Sequence, residues 1–371
     1  MKNISRIIVA ILILAMTLPM VLSCAETGST GETTAPAVTE APDSGAAETT
    51  AEETLFAKSD IPEDLRFDGT TVKILYWDDV PNLEFFVEDQ TGEAVNDAIY
   101  RRNAKIQEQF GVTLEFTGTP GDNSDMGSFV NVCVNSTQAG ADAHDLFCGY
   151  SMTGATLMTR GVTQDLTDYE IMEFDKPWWP KSLISKATIR DGIYFASGDI
   201  STNFIHMMYL VMFNKDMLTN IHNIGADALY ELAYNGEWTL DKFIEYTDGV
   251  YLEQDGDNVA SEGDRYGAVA TNVHFDPFYA GSGLTTIDVN ADGDLVLSPD
   301  LFSQKTVDLL EKLCNLLHVS GNAYIKKSEP IFAAGNALFI VDRPYIITRS
   351  LTDIGFNFGI LPIPKYDAEQ E

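Results

Sequence analysis

Thr71-Val72-Lys73-Ile74-Leu75-Tyr76-Trp77 opens the stretch that decides the fold. It is a run of β-forming residues, and two shorter runs of the same kind follow it. Two segments with a helical repeat of apolar residues separate the three runs. In chain order the predicted elements are a strand at 71–77, a helix at 93–109 ended by Gly111, a strand at 112–116, a helix at 124–139 and a strand at 145–148. This alternation predicts a parallel sheet with crossover helices, and so an α/β fold.

Parallel sheets bind ligands beyond the carboxyl ends of their strands. Trp77 and Asp78 stand at the end of the first predicted strand, and Tyr150 follows the third. Flat aromatic rings suit the faces of sugars, whereas Asp, Asn and Arg suit hydroxyl groups. These residues are therefore candidates for the wall of a carbohydrate site.

The chain has 371 residues, of which 56 are acidic and 23 basic, and its net charge is −33. Its length predicts two domains or one large one. A surface of this charge repels nucleic acid and anionic lipid, so neither is an expected partner. We find no nucleophile elbow, P-loop or dinucleotide-binding motif, and the five histidines are scattered. The sequence thus predicts neither catalytic residues nor a bound metal or cofactor.

Two local features leave alternatives open. The acidic stretch Asp255-Gly256-Asp257-Asn258 offers hard oxygen ligands, but its spacing does not fit an EF-hand loop, so a solvated loop is favoured. Cys133 and Cys148 are 15 residues apart and could be bridged, although two buried free thiols are favoured. Cys314 lies on an apolar helical stripe and is predicted to be part of the core.

Residues 1–23 have the form of a secretory signal peptide. A basic start is followed by an uncharged apolar run at 7–22, which ends at Val21-Leu22-Ser23-Cys24. The ending also resembles a bacterial lipobox, in which the cysteine becomes lipidated, so Cys24 is the predicted lipidation site. The alternative is an ordinary signal peptide with an incidental cysteine. Residues 24–60 are rich in Thr, Ala and Glu and predict a disordered acidic tether after the lipidated cysteine.

Further along the chain, Thr239 is a predicted N-cap, Ser298-Pro299 is predicted to open a long helix, and 337–341 is a predicted buried strand. Several segments then resemble those of the family 1 extracellular solute-binding proteins, the maltose-binding-like lipoproteins of ABC importers. In order, they are EAVNDAIYRRN (93–103), the stretch from Asp145-Leu146 to GVTQDL (161–166), YLVMFNKD (209–216), GEWTLDKF (236–243), DRYG (264–267), FAAGNALF (332–339) and FNFGILP (356–362).

The resemblance implies a two-lobed periplasmic-binding-protein-like fold of class II type. It places lobe 1 at 61–200, lobe 2 at 201–341 and a return into lobe 1 at 342–371. It also implies a non-enzymatic, monomeric protein at the cell surface, lipid-anchored to the outer face of the cytoplasmic membrane. Such a protein captures a small-molecule or oligosaccharide ligand and delivers it to the permease subunits of an ABC transporter.

The family's ligand residues vary, so the wall candidates come from their positions in this chain. Asp342 and Arg343 join Trp77 and Tyr150, because they follow the late strand where the lobes reconnect. Asp78 and Tyr279 are secondary candidates. The alternatives are a tethered polysaccharide-active enzyme, a peptide-binding lipoprotein and an adhesive surface lipoprotein.

The chain is also expected to be incomplete at its C-terminus. It ends soon after Gly359-Ile360-Leu361-Pro362, where the family's chain crosses back to finish the second lobe. The expected missing part is on the order of 100 residues, from the usual size of a lobe. The alternative is a naturally short member whose last strand completes the fold.

Overall fold

The computed structural model describes residues 57–370 except 81–82, 139, 141–142 and 275. The predicted signal peptide, Cys24 and most of the predicted tether lie outside the described residues. Within the described residues, no helix combines the length and the apolar character that crossing a membrane requires.

The first sheet is parallel, as the sequence predicts. Its strands are β1 (Thr71–Trp77), β2 (Thr113–Thr119) and β3 (Leu146–Cys148), arranged in the order β2-β1-β3. In the register, Leu75 of β1 lies opposite Thr117 of β2 on one side and Phe147 of β3 on the other. The carboxyl ends of β1 and β3 therefore meet at one edge of the sheet.

The helices that cross this sheet are α1 (Ala94–Phe110), α2 (Met126–Gln138) and α3 (Ser151–Thr159). Helix α1 begins where the Glu93 carboxylate accepts the N–H groups of Val95 and Asn96, at 3.1 and 2.6 Å. It ends at Gly111, which has φ = 64°, a conformation that glycine adopts without steric cost. Local sequence thus sets both ends of α1.

The chain between the two large sheets is held to the residues that precede β1. It contains α4 (Lys181–Ala187) and a two-stranded hairpin of β4 (Thr188–Ile189) and β5 (Gly192–Ile193). Glu173 accepts hydrogen bonds from Ser59 Oγ at 2.6 Å and from the Asp60 N–H at 2.5 Å. Lys176 pairs with the Asp60 carboxylate at 2.7 Å.

The remaining strands build a second, mixed sheet and a hairpin. They are β6 (Leu210–Asn214), β7 (Tyr266–Val269), β8 (Ile287–Val289), β9 (Leu295–Leu297), β10 (Ala323–Tyr324), β11 (Ala337–Asp342) and β12 (Phe358–Leu361). The sheet has the order β10-β7-β11-β6-β12, and β6 is antiparallel to both of its neighbours. Strands β8 and β9 form the hairpin.

The remaining helices lie between and after these strands, and those that pack against the second sheet bury its apolar strands. They are α5 (Thr202–His206), α6 (Lys215–His222), α7 (Ala226–Tyr234), α8 (Leu240–Thr247), α9 (Asp276–Gly281), α10 (Gln304–Cys314), α11 (Glu329–Ala333) and α12 (Tyr345–Ser350). Every residue of β11 is buried. Large rings from α8 and the segment before it, Phe243 and Trp238, pack against Phe339 in the core beneath this strand. The hydrophobic effect on these rings is the main force that holds the lobe together.

The expected return of residues 342–371 into lobe 1 is wrong. Strand β12 pairs with β6 in the second sheet, with Gly359 opposite Phe213. The chain beyond it stays on the same lobe, because Trp238 Nε1 donates to Pro362 O at 2.9 Å. The resemblance located the strand correctly, but it could not identify the strand's neighbour.

Two local predictions also need correction. Ser298 caps only the short 3-10 turn Pro299–Phe302, and Ser303 caps the long helix α10 with a hydrogen bond from the Thr306 N–H. Cys314 is exposed rather than part of the core, because it falls on the outer side of α10. All three described cysteines are free, and burial raises the pKa of Cys133 and of Cys148 to about 12.

The close packing at Gly359 gives a test of this sheet. A Cβ at Gly359 would overlap the ring of Phe213 and approach the Tyr230 hydroxyl. We expect Gly359→Ala to lower the free energy of unfolding by about 1–3 kcal/mol, the usual cost of overpacking a core. Urea unfolding followed by circular dichroism measures it.

Gly127→Ala is the matched control. Gly127 lies in α2 with open space around it, so the added methyl group should be neutral or stabilise by up to about 1 kcal/mol. Equal unfolding midpoints for the two variants would contradict the placement of β12.

Candidate functional site

The candidate site begins at the carboxyl edge of the first sheet. Trp77 is the last residue of β1, and Tyr150 immediately precedes α3. Their rings stack, with centroids 5.9 Å apart and planes inclined by 22°. Trp77 is buried and Tyr150 is half-buried, so Tyr150 presents the accessible ring of this aromatic wall and Trp77 supports it.

A buried carboxylate holds the Trp77 ring in place. Glu84 is 5% exposed and accepts the indole Nε1–H of Trp77 at 3.0 Å. It also accepts hydrogen bonds from Ser201 Oγ and, at 2.9 Å, from Asn203 Nδ2. Ser201 and Asn203 belong to the segment that leads from the first sheet into the second. Glu84 therefore connects the aromatic wall with that segment.

Tyr209 lies where this segment enters the second sheet. It precedes Leu210, which is paired with Asp342 at the end of β11. Burial raises the pKa of Tyr209, and the Arg343 guanidinium opposes that shift. Tyr209 thus lies beside the polar residues of the second lobe, against the rings and charges of His274 and Arg343.

The polar residues of the second lobe surround Asp342, which is buried. The Asp342 carboxylate accepts the Arg343 backbone N–H at 2.8 Å and lies 3.6 Å from His274 Nε2. Burial raises the pKa of Asp342 and lowers that of His274, so each shift favours the neutral form. The Tyr209 ring packs edge-on against the ring of His274, with centroids 5.6 Å apart.

Arg343 is held by aromatic rings. Its guanidinium carbon lies 4.7 Å from the ring centroid of Tyr345 and 5.6 Å from that of Tyr209. These distances are typical of cation–π contacts. The site therefore combines stacked aromatic surface with one fixed guanidinium group, an arrangement suited to a polar ligand with flat apolar faces.

The structure brings four of the six wall candidates together in two pairs. Trp77 stacks on Tyr150, and Asp342 lies beside Arg343. Ligand binding by these four residues remains a prediction.

The structure places Asp78 and Tyr279 elsewhere. The Asp78 carboxylate lies against Gly118 of β2, on the side of β1 opposite Tyr150. Tyr279 packs against the core of the second lobe, and its hydroxyl donates to Thr285 O at 3.1 Å. Its position in α9, which the sequence did not predict as a helix, turns the ring inward. Tyr279 is thus half-buried against this core, and its role as a wall residue stays a prediction.

Sequence reasoning missed Glu84, Tyr209 and His274. Tyr209 was visible only as the first residue of the YLVMFNKD segment, and Glu84 belongs to no motif. The acidic residues near 255 form a carboxylate group that could hold a cation, as do Asp79, Asp122 and Asp125. Local hydrogen bonds already use oxygens of both groups, for example Asp255 with Ser261 Oγ at 2.8 Å and Asp79 with the Gly121 N–H at 3.0 Å. We assign neither group a metal.

Comparison with known proteins supports the fold. No protein-family model and no curated protein matches the chain. Among solved structures, an extracellular solute-binding protein from Staphylococcus aureus in complex with maltose aligns with a TM-score of 0.53 at 14% identity, covering 81% of this chain and 69% of that one. UspC from M. tuberculosis aligns with a TM-score of 0.52 at 12% identity, covering 80% and 70%.

A sugar transporter protein from Rhizobium etli, in an open conformation, also aligns with a TM-score of 0.52 at 14% identity, covering 80% of this chain and 67% of that one. The chain therefore has the α/β, two-lobed fold of the solute-binding proteins of ABC transporters. The resemblance identified from the sequence is confirmed at the level of the fold. The chain spans about 70% of the length of these structures.

The role of Glu84 can be tested by an isosteric change. Glu84→Gln replaces one acceptor oxygen with an N–H₂ group that faces donors, and it removes the charge from the hydrogen bonds to Trp77 and Asn203. We expect the free energy of unfolding to fall by about 1.5–3 kcal/mol, the usual value for hydrogen bonds to a charged group. Urea unfolding with tryptophan fluorescence measures the change.

Glu88→Gln is the control, since Glu88 is exposed and lies only four residues away. Its effect should stay within about 0.5 kcal/mol, as for most surface substitutions. The assignment of Glu84 would be refuted by variants of equal stability.

Proposed function

We propose that this chain is the extracellular substrate-binding component of an ABC transporter, which captures an oligosaccharide between its lobes and delivers it to a membrane permease. The two-lobed fold supports this role. The aligned S. aureus protein holds maltose, and the aligned R. etli protein is a sugar transporter component. The function is binding rather than catalysis, and it requires no cofactor.

The observation that carries the proposal is the stacked pair of Trp77 and Tyr150 at the carboxyl edge of the first sheet. A sugar ring presents an apolar face and a rim of hydroxyl groups. Aromatic rings cover such a face, while Arg343 and the hydroxyl of Tyr209 provide donors for the rim. The aromatic wall belongs to one lobe and Arg343 to the other, so a ligand that touches both would hold the lobes together.

The proposed lobes are residues 61–200 and 201–341, and the second also takes in β12. Segment 201–209 is the proposed crossing between them. The proposed partners are the ligand and the permease subunits, and the protein acts as a monomer. Its proposed location is the cell surface, where lipid on Cys24 would anchor it to the outer face of the cytoplasmic membrane.

Sugar binding can be measured by calorimetric titration with maltose, cellobiose, xylobiose and their longer oligomers. For whichever sugar binds, we expect Trp77→Ala or Tyr150→Ala to weaken affinity by at least tenfold, since central aromatic residues contribute about 2 kcal/mol or more to such contacts. Tyr234→Ala is the control, because Tyr234 is an aromatic residue that is 90% exposed on the second lobe.

The proposed site is wrong if the three variants bind with equal affinity. If the folded wild-type protein binds no sugar in this panel, the carbohydrate assignment fails as a whole. Circular dichroism of each variant verifies that a loss of binding is not a loss of structure.

The anchor at Cys24 is a separate prediction. Expressed in a bacterium with lipoprotein processing, the wild-type chain should fractionate with membranes, and Cys24→Ala should be released or remain unprocessed. Cys314→Ala, a change at an exposed cysteine, should leave fractionation unaltered. An unchanged mature mass and unchanged membrane fractionation of Cys24→Ala would exclude lipidation.

A further inference from the structure

Arg343 is a half-buried cation that lies 3.6 Å from the Asp342 carboxylate and makes only weak hydrogen bonds within the described part of the chain. Only 27% of its side chain is exposed, and its Nε, which is shielded from solvent, makes no hydrogen bond there. Its Nη1 reaches the sulfur of Met207 at 3.8 Å, and its Nη2 reaches the Tyr345 hydroxyl at 3.5 Å. Both contacts are at the outer limit of a hydrogen bond and neither acceptor is charged. The protein therefore uses the N–H donors of the Arg343 guanidinium group only weakly.

The adjacent carboxylate does not take up these donors. Asp342 Oδ1 lies 3.6 Å from Arg343 Nε, which is beyond normal hydrogen-bond distance. That oxygen accepts the backbone N–H of Arg343 and faces His274 instead. The other nearby carboxylate, Glu329, lies 3.7 Å from Arg349. Among the described residues, no carboxylate other than Asp342 lies within ion-pair distance of Arg343.

The rings of Tyr209 and Tyr345 explain how Arg343 stays in place without a carboxylate. A ring over the face of a guanidinium group fixes its plane, while the N–H groups on its edge remain available. A planar anion with two oxygens can then bind to the Nη1–Nη2 edge through two parallel hydrogen bonds, whereas Nε is shielded from solvent. The group is thus arranged for an anionic partner that approaches from outside the chain.

We infer that the ligand of this site is an acidic saccharide, whose carboxylate or phosphate group binds to the guanidinium edge of Arg343 while a sugar ring lies on Tyr150, whose ring stacks on Trp77. The inference rests on the proposed function. An anionic ligand is compatible with the protein's net charge of −33. Salt at physiological concentration screens the repulsion between charges that are more than about 8 Å apart, whereas a direct ion pair with Arg343 is screened much less.

The test compares acidic sugars with neutral sugars of the same size on the full-length protein. Digalacturonate and its neutral counterpart galactobiose form one pair, and glucose 6-phosphate and glucose form the other. Isothermal titration at low and at high salt gives the affinities. We expect at least tenfold tighter binding of an acidic member, and a smaller advantage in 0.5 M NaCl. Whether the advantage lies with the uronate or the phosphate identifies the acidic group.

Two variants test whether Arg343 causes the preference for acidic sugars. Arg343→Gln keeps hydrogen-bonding capacity but removes the charge, so the acidic and neutral sugars should bind with equal affinity. Arg343→Lys restores the charge without the planar fork, and should regain only part of the preference. The comparison of paired sugars on the wild-type protein needs neither variant, so it remains decisive if a variant does not fold.

The outcomes separate this inference from the proposed function. If galactobiose binds as tightly as digalacturonate, and glucose as tightly as its phosphate, the ligand class is wrong, although the sugar-binding role stands. An acidic preference that survives Arg343→Gln would also overturn the inference. If no sugar of either kind binds to the folded protein, the proposed function fails and the inference fails with it.

Discussion

The buried carboxylate of Glu84 is the interaction on which the arrangement of the site depends. A charged group in the interior is tolerated only when donors surround it, and the donors here come from two separate parts of the chain. The indole of Trp77 belongs to the end of β1, whereas Ser201 and Asn203 belong to the segment that enters the second lobe. Because one carboxylate needs all three, the aromatic wall and the start of the crossing segment keep a fixed relation.

The first sheet could be predicted from the sequence because its signals are local. The strand at 71–77 has the predicted bounds, and Glu93 and Gly111 mark the ends of α1 through contacts within a few residues. The contacts of Glu84 with Ser201 and Asn203 span more than 110 residues, so no periodicity or cap could reveal them. The same limit explains the error at β12, since a strand's own sequence does not identify its neighbour in a mixed sheet.

The candidate site was predictable to the extent that it follows from topology. Trp77 and Tyr150 come together because parallel strands end at one edge, and this rule needs only the strand boundaries. The rule does not extend to Tyr279, because that residue lies on a helix, and the direction of a helical side chain depends on the surrounding core. The pairing of Asp342 with His274 joins two lobe-2 segments far apart in sequence, and only the folded sheet places them side by side.

The contacts of Ser59 and Asp60 with Glu173 and Lys176 have a mechanical consequence. Ser59 and Asp60 precede β1 in the chain. A force applied from the amino-terminal side would therefore act on these contacts before it acts on the first sheet. These hydrogen bonds and an exposed ion pair yield at much lower force than β1, which pairs through seven residues with β2 and through three with β3. The chain would therefore lengthen at this point first, before the strands of the first sheet separate.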